Sequence, residues 1–478
     1  MKGKINKTHL YRQIASNIES KIETKVLRAG DRLPSVRILS GEYGVSLSTI
    51  LEAYYYLEGK GLIESRPRSG YFVRRTYKKT LSVPSVSDPG KETDPAKTDS
   101  LVSKVFSSFV SDQTILFSVG VPALEFIPIA RLNKEIIKAV RTMPGSGTHY
   151  ETIQGNERLR HQLAIQSLHW DGHLLPEDLV ITTGCMEAIS LSLMVTTQPG
   201  DTIATESPVY FGLLQVAQSL GRKIIELPTD PEYGVEIPAL KKRVQKGEIQ
   251  ALCLISNFNN PLGSCIPSAQ KKEITEYMEA FNIPIIEDDI YGDLYFESAR
   301  PLNCKTFDHS GNVLLCGSIS KTLAPGYRVG WVAPGRFKEE LLRQKLFSSV
   351  SSASLPQEVI ASFFETGRYE NHLRKLRSSL YKNSIRMINA IADHFPEGTK
   401  VSHPKGGFML WIELDRAKDT AQLYDLFKKE NISIAPGRMF TLQNQYNHCM
   451  RLSYGLVWNQ DIEKALLTMG KILKSKDT

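Results

Sequence analysis

A small α+β module followed by a large α/β domain is the fold the sequence predicts, and three observations predict it. Charge is unevenly placed: residues 1–80 carry 16 Lys+Arg against 7 Asp+Glu, a balance of +9, while the rest of the 478-residue chain balances at −1. Within the first 75 residues, three stretches of helical periodicity precede a short extended pair. Beyond residue 112, short continuous apolar runs alternate with helical stretches, the pattern of a mainly parallel sheet covered on both faces.

Bulk composition narrows the class. Hydrophobic residues make up 41% of the chain, ordinary for a globular protein. No apolar run approaches the roughly 20 residues needed to span a bilayer, and the charged start has no apolar core behind it, so neither a membrane span nor a signal peptide is expected. Cysteines 185, 253, 265, 304, 316 and 449 are scattered, with no spacing that indicates a zinc site or a disulfide framework. A reduced, cytoplasmic protein without a metal site is the expectation.

In the first module, Leu10, Ile14, Ile18 and Ile22 recur every four residues and predict a helix over about 8–24. Ser35 is placed to cap a second helix that stops at Tyr43-Gly44, where glycine suits a left-handed terminus. Ser46 can cap a third helix, roughly 46–60, turning Ile50, Ala53, Tyr54 and Leu57 inward. Residues 62–73 then read as a hairpin. Two helices on a tight turn with a basic hairpin behind them make a winged helix-turn-helix, and its excess charge suits double-stranded DNA. The strings Gly30-Asp31-Arg32-Leu33-Pro34-Ser35-Val36-Arg37, Val45-Ser46-Leu47-Ser48-Thr49, Gly61-Leu62-Ile63 and Gly70-Tyr71-Phe72-Val73 resemble the GntR family of bacterial regulators. The resemblance implies that Arg37, Ser46, Ser48 and Thr49 face operator DNA and that Arg68 and Gly70 form the wing tip. Leu47 stands where many members carry arginine. The module is assigned to residues 1–76.

Residues 77–111 turn to Ser, Pro, Thr, Asp and Lys, a composition that predicts a flexible linker. Residues 112–478 form the second unit. Its expected strands lie at 179–183, 202–205, 251–255, 284–287 and 313–316, and ligands of such sheets bind at the strands' carboxyl ends. Polar residues gather there. Gly184-Cys185-Met186 opens a helix whose amides can hold a phosphate. Asn260 ends one strand in a turn. Asp288 ends another, with the phenol of Tyr291 three residues on. In Gly317-Ser318-Ile319-Ser320-Lys321-Thr322-Leu323-Ala324-Pro325-Gly326-Tyr327-Arg328, one lysine stands among hydroxyls, a Pro-Gly turn and an arginine. An amine there can form a Schiff base, and Ser318 and Arg328 are of the right types to anchor a phosphate, which together suit pyridoxal 5'-phosphate (PLP).

From 112 onward the order and spacing of these motifs resemble fold-type I aminotransferases, α/β PLP-dependent transferases with a smaller C-terminal subdomain. The resemblance implies that Lys321 is the Schiff-base lysine and that Asp288 pairs with the pyridine nitrogen. Tyr291 and Asn260 would bind the ring oxygen, Tyr210 would stack on the ring, and Cys185 and Met186 (through backbone), Ser318 and Arg328 would hold the phosphate. Tyr150, in His149-Tyr150-Glu151, is similar to the tyrosine that reaches a neighbouring subunit's phosphate, which implies a homodimer. Arg451 matches the arginine that grips a carboxylate, here that of a small amino-compound effector. A GntR-like reader joined to such a domain is the arrangement of the MocR/GabR regulators. It implies a transcriptional regulator in which an amino compound, or PLP itself, is sensed at Lys321. A catalytically active class I/II aminotransferase with an appended DNA-binding domain stands as the alternative, and a PLP fold kept only as a dimerisation scaffold as a third.

Overall fold

The computed structural model describes residues 7–24, 26–59, 62–66, 69–73, 81–89, 98–107 and 114–475. At the N-terminus α1 (Lys7–Glu23), α2 (Val36–Tyr43) and α3 (Leu47–Gly59) precede a hairpin of β1 (Ile63–Arg66) and β2 (Gly70–Val73). The local signals act as the sequence implies. The Ser35 hydroxyl accepts from the Ile38 amide, and Gly44 closes α2 at φ 63°. Ile14, Ile18 and Ile22 meet Ile50, Ala53, Tyr54 and Leu57 in a core separate from the rest of the molecule.

The stretch expected to be a flexible linker is partly structured. Leu81–Pro89 lies along the second unit, and α4 (Thr98–Ser107) packs Val105 into its main core. Low apolar content forbids a core of its own, but Leu81 and Pro84 need only a surface already built, and hydrogen bonds to that surface supply the rest.

The second unit is built on seven strands: β3 (Val180–Thr182), β4 (Thr202–Glu206), β5 (Lys223–Leu227), β6 (Ala251–Leu254), β7 (Ile285–Asp288), β8 (Val313–Ser318) and β9 (Gly330–Ala333). Their order is β3-β9-β8-β7-β6-β4-β5. All neighbours run parallel except β9, which is antiparallel to β8 and β3. Because β9 runs backwards, its first residue stands at the edge where the other strands end, so the turn before it joins the same rim. Helix α5 (Cys185–Thr196) follows β3. After the long helix α6 (Arg368–His394) comes a smaller antiparallel sheet, β10 (Lys400–Val401), β11 (Met409–Glu413), β12 (Ala435–Pro436) and β13 (Cys449–Ser453), in the order β10-β11-β13-β12. Among the described residues no helix is long and apolar enough to cross a membrane.

Candidate functional site

The carboxyl ends of β3, β4, β6, β7 and β8 open on a cavity of about 190 Å3 lined by Cys185, Met186, Tyr210, Ile255, Asn260, Asp288, Ile290, Tyr291, Ser320, Lys321 and Arg328. Residues spread over more than 140 positions are thus brought to one point by the parallel strands that precede them.

Lys321 ends a short turn after β8, and its ammonium donates to the Gly120 carbonyl at 2.5 Å. Burial and, after it, the charge of Arg451 push this amine down to about 8, and the Asp288 carboxylate opposes both. The next residue fixes the turn: Thr322 accepts the Tyr369 hydroxyl at 2.8 Å, and its carbonyl accepts His372 Nε2–H at 2.6 Å. Both partners come from α6.

Asp288 is the last residue of β7. Burial raises its carboxyl to about 6 against two donors, the Cys185 thiol at 3.3 Å and the Ile290 amide at 3.1 Å, which both reach Oδ1. No hydrogen bond from a described residue reaches Oδ2 of this cavity-lining carboxylate. Across from it, Asn260 Nδ2 donates to the Tyr291 hydroxyl at 3.3 Å, and Arg451 Nη1 donates to Asn260 Oδ1 at 3.1 Å. Burial holds the Tyr291 phenol well above its ordinary value, so it stays a donor. Tyr210 forms one wall, packed so closely on Gly212 that a Cβ there would lie 2.4 Å from its ring.

At the other end, Gly184 (φ 83°) precedes α5 and no side chain caps the helix's first amides. Arg328, itself in the left-handed region at φ 53°, reaches the Ser320 hydroxyl at 3.5 Å and the Thr183 carbonyl at 3.2 Å. Among the described residues no carboxylate pairs with it. Free helix amides beside an unpaired guanidinium make an anion receptor. Ser318 does not line the cavity. Its hydroxyl donates to the Val329 carbonyl at 2.9 Å and lies 2.7 Å from the Ser320 hydroxyl, so Ser320 takes the cavity-facing place. The sequence marked both hydroxyls, but which one faces inward is set by a carbonyl eleven residues away.

Arg451 stands behind Asn260, from β13. It is buried, which lowers it to about 10, and its Nε has no hydrogen-bond partner. A Cβ placed on Gly120 would lie 3.9 Å from Lys321 Nζ and 4.0 Å from Arg451 Nη1, with Met409 Cε 3.0 Å away, so the two cations converge on Gly120 beside a methionine. Tyr150 is elsewhere: it is 88% exposed and does not line this cavity.

In the N-terminal module Arg37, Ser46, Ser48 and Gly70 are exposed and Thr49 half-buried, while Arg68 lies outside the described residues. The Ser46 hydroxyl accepts the Thr49 amide at 3.3 Å and lies 2.8 Å from the hydroxyls of Ser48 and Thr49, so it caps α3 within a cluster of hydroxyls. Leu47 is half-exposed at the first turn of that helix. Arg32, which sequence reasoning passed over, lies beside Gly70 at the wing.

Comparison with known proteins agrees with this geometry. Residues 112–467 match the aminotransferase class I and II family, and residues 10–73 match the bacterial regulatory proteins of the gntR family. The HTH-type transcriptional regulator YjiR of Escherichia coli K12 is 35% identical over 96% of this chain and 98% of its own. The HTH-type transcriptional regulator NorG of Staphylococcus aureus is 28% identical over 91% of this chain and 98% of its own. Among solved structures, a multiple substrate aminotransferase from Thermococcus profundus superposes with a TM-score of 0.73 at 23% identity, covering 79% of this chain and 97% of its own. The chain belongs to the aminotransferase class I and II family, in the MocR/GabR arrangement that places a GntR-type winged helix ahead of a PLP-dependent fold.

Proposed function

We propose that this protein is a PLP-dependent, DNA-binding transcriptional regulator in which a small amino compound, or PLP itself, is sensed at Lys321. The observation that carries the reading is the gathering of Lys321, Asp288, Asn260, Tyr291, Tyr210 and Arg328 around one cavity, in a chain that opens with a basic winged helix. The cavity fits the cofactor. Arg328, Ser320 and the first amides of α5 would hold the phosphate, Asp288 Oδ2 the ring nitrogen, and Tyr291 with Asn260 the ring oxygen. The Lys321 amine would take the aldehyde, and Tyr210 would cover the ring. When bound, PLP supplies an aldehyde for amine exchange and a ring that accepts electrons. The buried, unpaired Nε of Arg451 supports a carboxylate-bearing effector beside Lys321.

The assembly we propose is a homodimer. Its support is the exposure of Tyr150, together with Leu124, Ile137 and Phe347 on the same unit. Tyr150 would then complete the partner's phosphate site, as the family resemblance implies.

Sensing requires the effector to bind two conformations of the protein with different affinity. The test is the affinity for a DNA fragment selected from genomic DNA, measured for apo, PLP-loaded and amino-acid-loaded protein. Identical affinity and footprint in all three sinks the reading. The gathering of these groups around the cavity, with Arg451 behind Asn260, favours a second reading as a working aminotransferase. Sustained conversion of a keto acid over many turnovers would select it, while a single half-reaction would select the sensor.

A further inference from the structure

The segment that joins the two units crosses between the two halves of the pocket. Its first part is fastened to the small sheet. The Leu81 carbonyl accepts from His403 Nε2 at 3.2 Å, and the Ser82 carbonyl from the Val401 amide at 2.9 Å. Ser85 donates its amide to Glu413 Oε2 at 2.7 Å and its hydroxyl to Oε1 at 3.1 Å, and Lys400 donates to both the Ser85 hydroxyl and Glu413 Oε1 at 2.7 Å. Two residues later the chain is fastened instead to Thr229, in a short two-stranded ribbon just past the edge strand β5. The Ser87 amide donates to the Thr229 carbonyl at 3.1 Å and the Thr229 amide to the Ser87 hydroxyl at 2.7 Å.

Each anchor leads to the cavity. Glu413 ends β11, whose Trp411 pairs with Arg451 on β13. Thr229 follows the edge strand β5 and accepts the Ser207 amide at 3.0 Å, three residues before Tyr210. Two residues span at most about 7 Å, so Glu413 and Thr229 cannot part by more than a few ångströms with both anchors intact. The anchors are unequal. The Glu413 anchor is a charge-assisted network and the Ser87 anchor a set of neutral bonds, to Thr229 and to the Tyr446 hydroxyl, each roughly half as strong. The Ser87 anchor therefore yields first. The winged-helix module has its own hold on the same subdomain, through the Lys382 ammonium of α6, 4.4 Å from the centre of the Tyr55 ring.

We propose that Ser85, Lys400 and Glu413 form a clasp that ties the DNA-binding module to the Arg451-bearing subdomain, so that movement of this subdomain over a bound effector carries the module with it. The proposal rests on the sensor reading above and names its mechanical link.

The test uses the full-length protein reconstituted with PLP and a DNA fragment it selects from a random pool. Aminooxyacetate is the probe: its aminooxy nitrogen would displace the Lys321 amine from the cofactor's aldehyde carbon, freeing the lysine as the oxime forms, which the absorbance of the cofactor reports, and its carboxylate suits Arg451. In the unaltered protein the probe is expected to change DNA affinity by about fivefold or more. In Glu413→Gln the absorbance response stays at the same probe concentration while the change in DNA affinity falls from about fivefold to about threefold or less, the Leu81 and Ser82 bonds keeping part of the tie. Ser85→Pro, which removes the same amide donor at an exposed position, gives the same result should Glu413→Gln fold poorly. Ser87→Ala keeps the full DNA response. Absence of the absorbance response would overturn the PLP reading itself, and an absorbance response without any DNA response in the unaltered protein would overturn sensing. A full DNA response in both clasp variants, or its loss in Ser87→Ala alone, overturns the clasp and leaves the sensor reading standing.

Discussion

A lysine that must attack an aldehyde near neutral pH works only as the free amine, and the fraction of free amine is set by its surroundings. Lys321 is held at about 8 against an ordinary 10.5, first by burial and then by Arg451. At pH 7 an ordinary lysine is free in about 1 molecule in 3,000, whereas Lys321 is free in about 1 in 10, a gain of roughly 300-fold. The rate at which apo-protein captures PLP should rise about fivefold between pH 7 and 8 and less than twofold from 8 to 9. Replacing Arg451 by Met removes a positive charge at most about 8 Å away, worth roughly 2 kcal/mol at an effective dielectric of 20 and less once water enters. The midpoint should therefore move up by about one pH unit. Asp288→Asn removes the opposing negative charge and moves it down. The assay is stopped-flow absorbance, with borohydride trapping to confirm the labelled peptide. A midpoint near that of free lysine, or one that neither substitution moves, would refute the electrostatic account.

Three further outcomes follow from particular contacts. In Gly184→Ala the new Cβ lies 2.3 Å from Arg328 Nη2 at a backbone φ of 83°; affinity for PLP should fall by about 10- to 100-fold while that for phosphate-free pyridoxal changes little, by fluorescence titration. Asp288 has a folded value of about 6 against 3.8 for the free carboxyl, so its ionisation costs the folded apo-protein up to about 3 kcal/mol above pH 6 and nothing below pH 4. Asp288→Asn should accordingly raise the apo-protein's Tm at pH 8 and leave it unchanged at pH 3.5, while weakening the cofactor's hold. Leu47 is exposed at the first turn of α3, and the apolar group of DNA that suits it is a thymine methyl in the major groove; replacing each thymine in turn by uracil in a selected fragment should at one position cost the unaltered protein about fourfold in affinity and Leu47→Ala nothing.

What the sequence made legible was whatever depends on short separations or on strand ends. Ser35 and Gly44 set the limits of α2 within their own turns, and both act as the local rule requires. Asp288, Asn260 and Lys321 were found because the carboxyl ends of parallel strands share one rim, so residues at those ends meet whatever the strand order. The rest depends on distant partners. Nothing near β9 marks its direction, yet that direction brings Arg328 to the rim. The exchange of Ser318 for Ser320 turns on the Val329 carbonyl. Composition made 77–111 a flexible linker because it counts apolar atoms, whereas Ser85 and Ser87 dock by hydrogen bonds to Glu413 and Thr229, more than 140 residues away.

Helix α6 bears on the choice between sensor and enzyme. Its 27 residues extend about 40 Å. Near its start, Tyr369 and His372 hold Thr322, the residue after Lys321. Some ten residues on, Lys382 meets Tyr55 of the winged-helix module. An aminotransferase has use for the first contact alone, since the lysine turn must be held whether or not DNA is present. The second contact touches no part of the pocket, and it gains a purpose only if the position of the module depends on the state of the site. Cutting it with Lys382→Met should leave PLP capture at Lys321 unchanged and alter the effect of a bound amino compound on DNA affinity. Unchanged DNA coupling in that variant would leave the helix a scaffold and return the weight of the argument to catalysis.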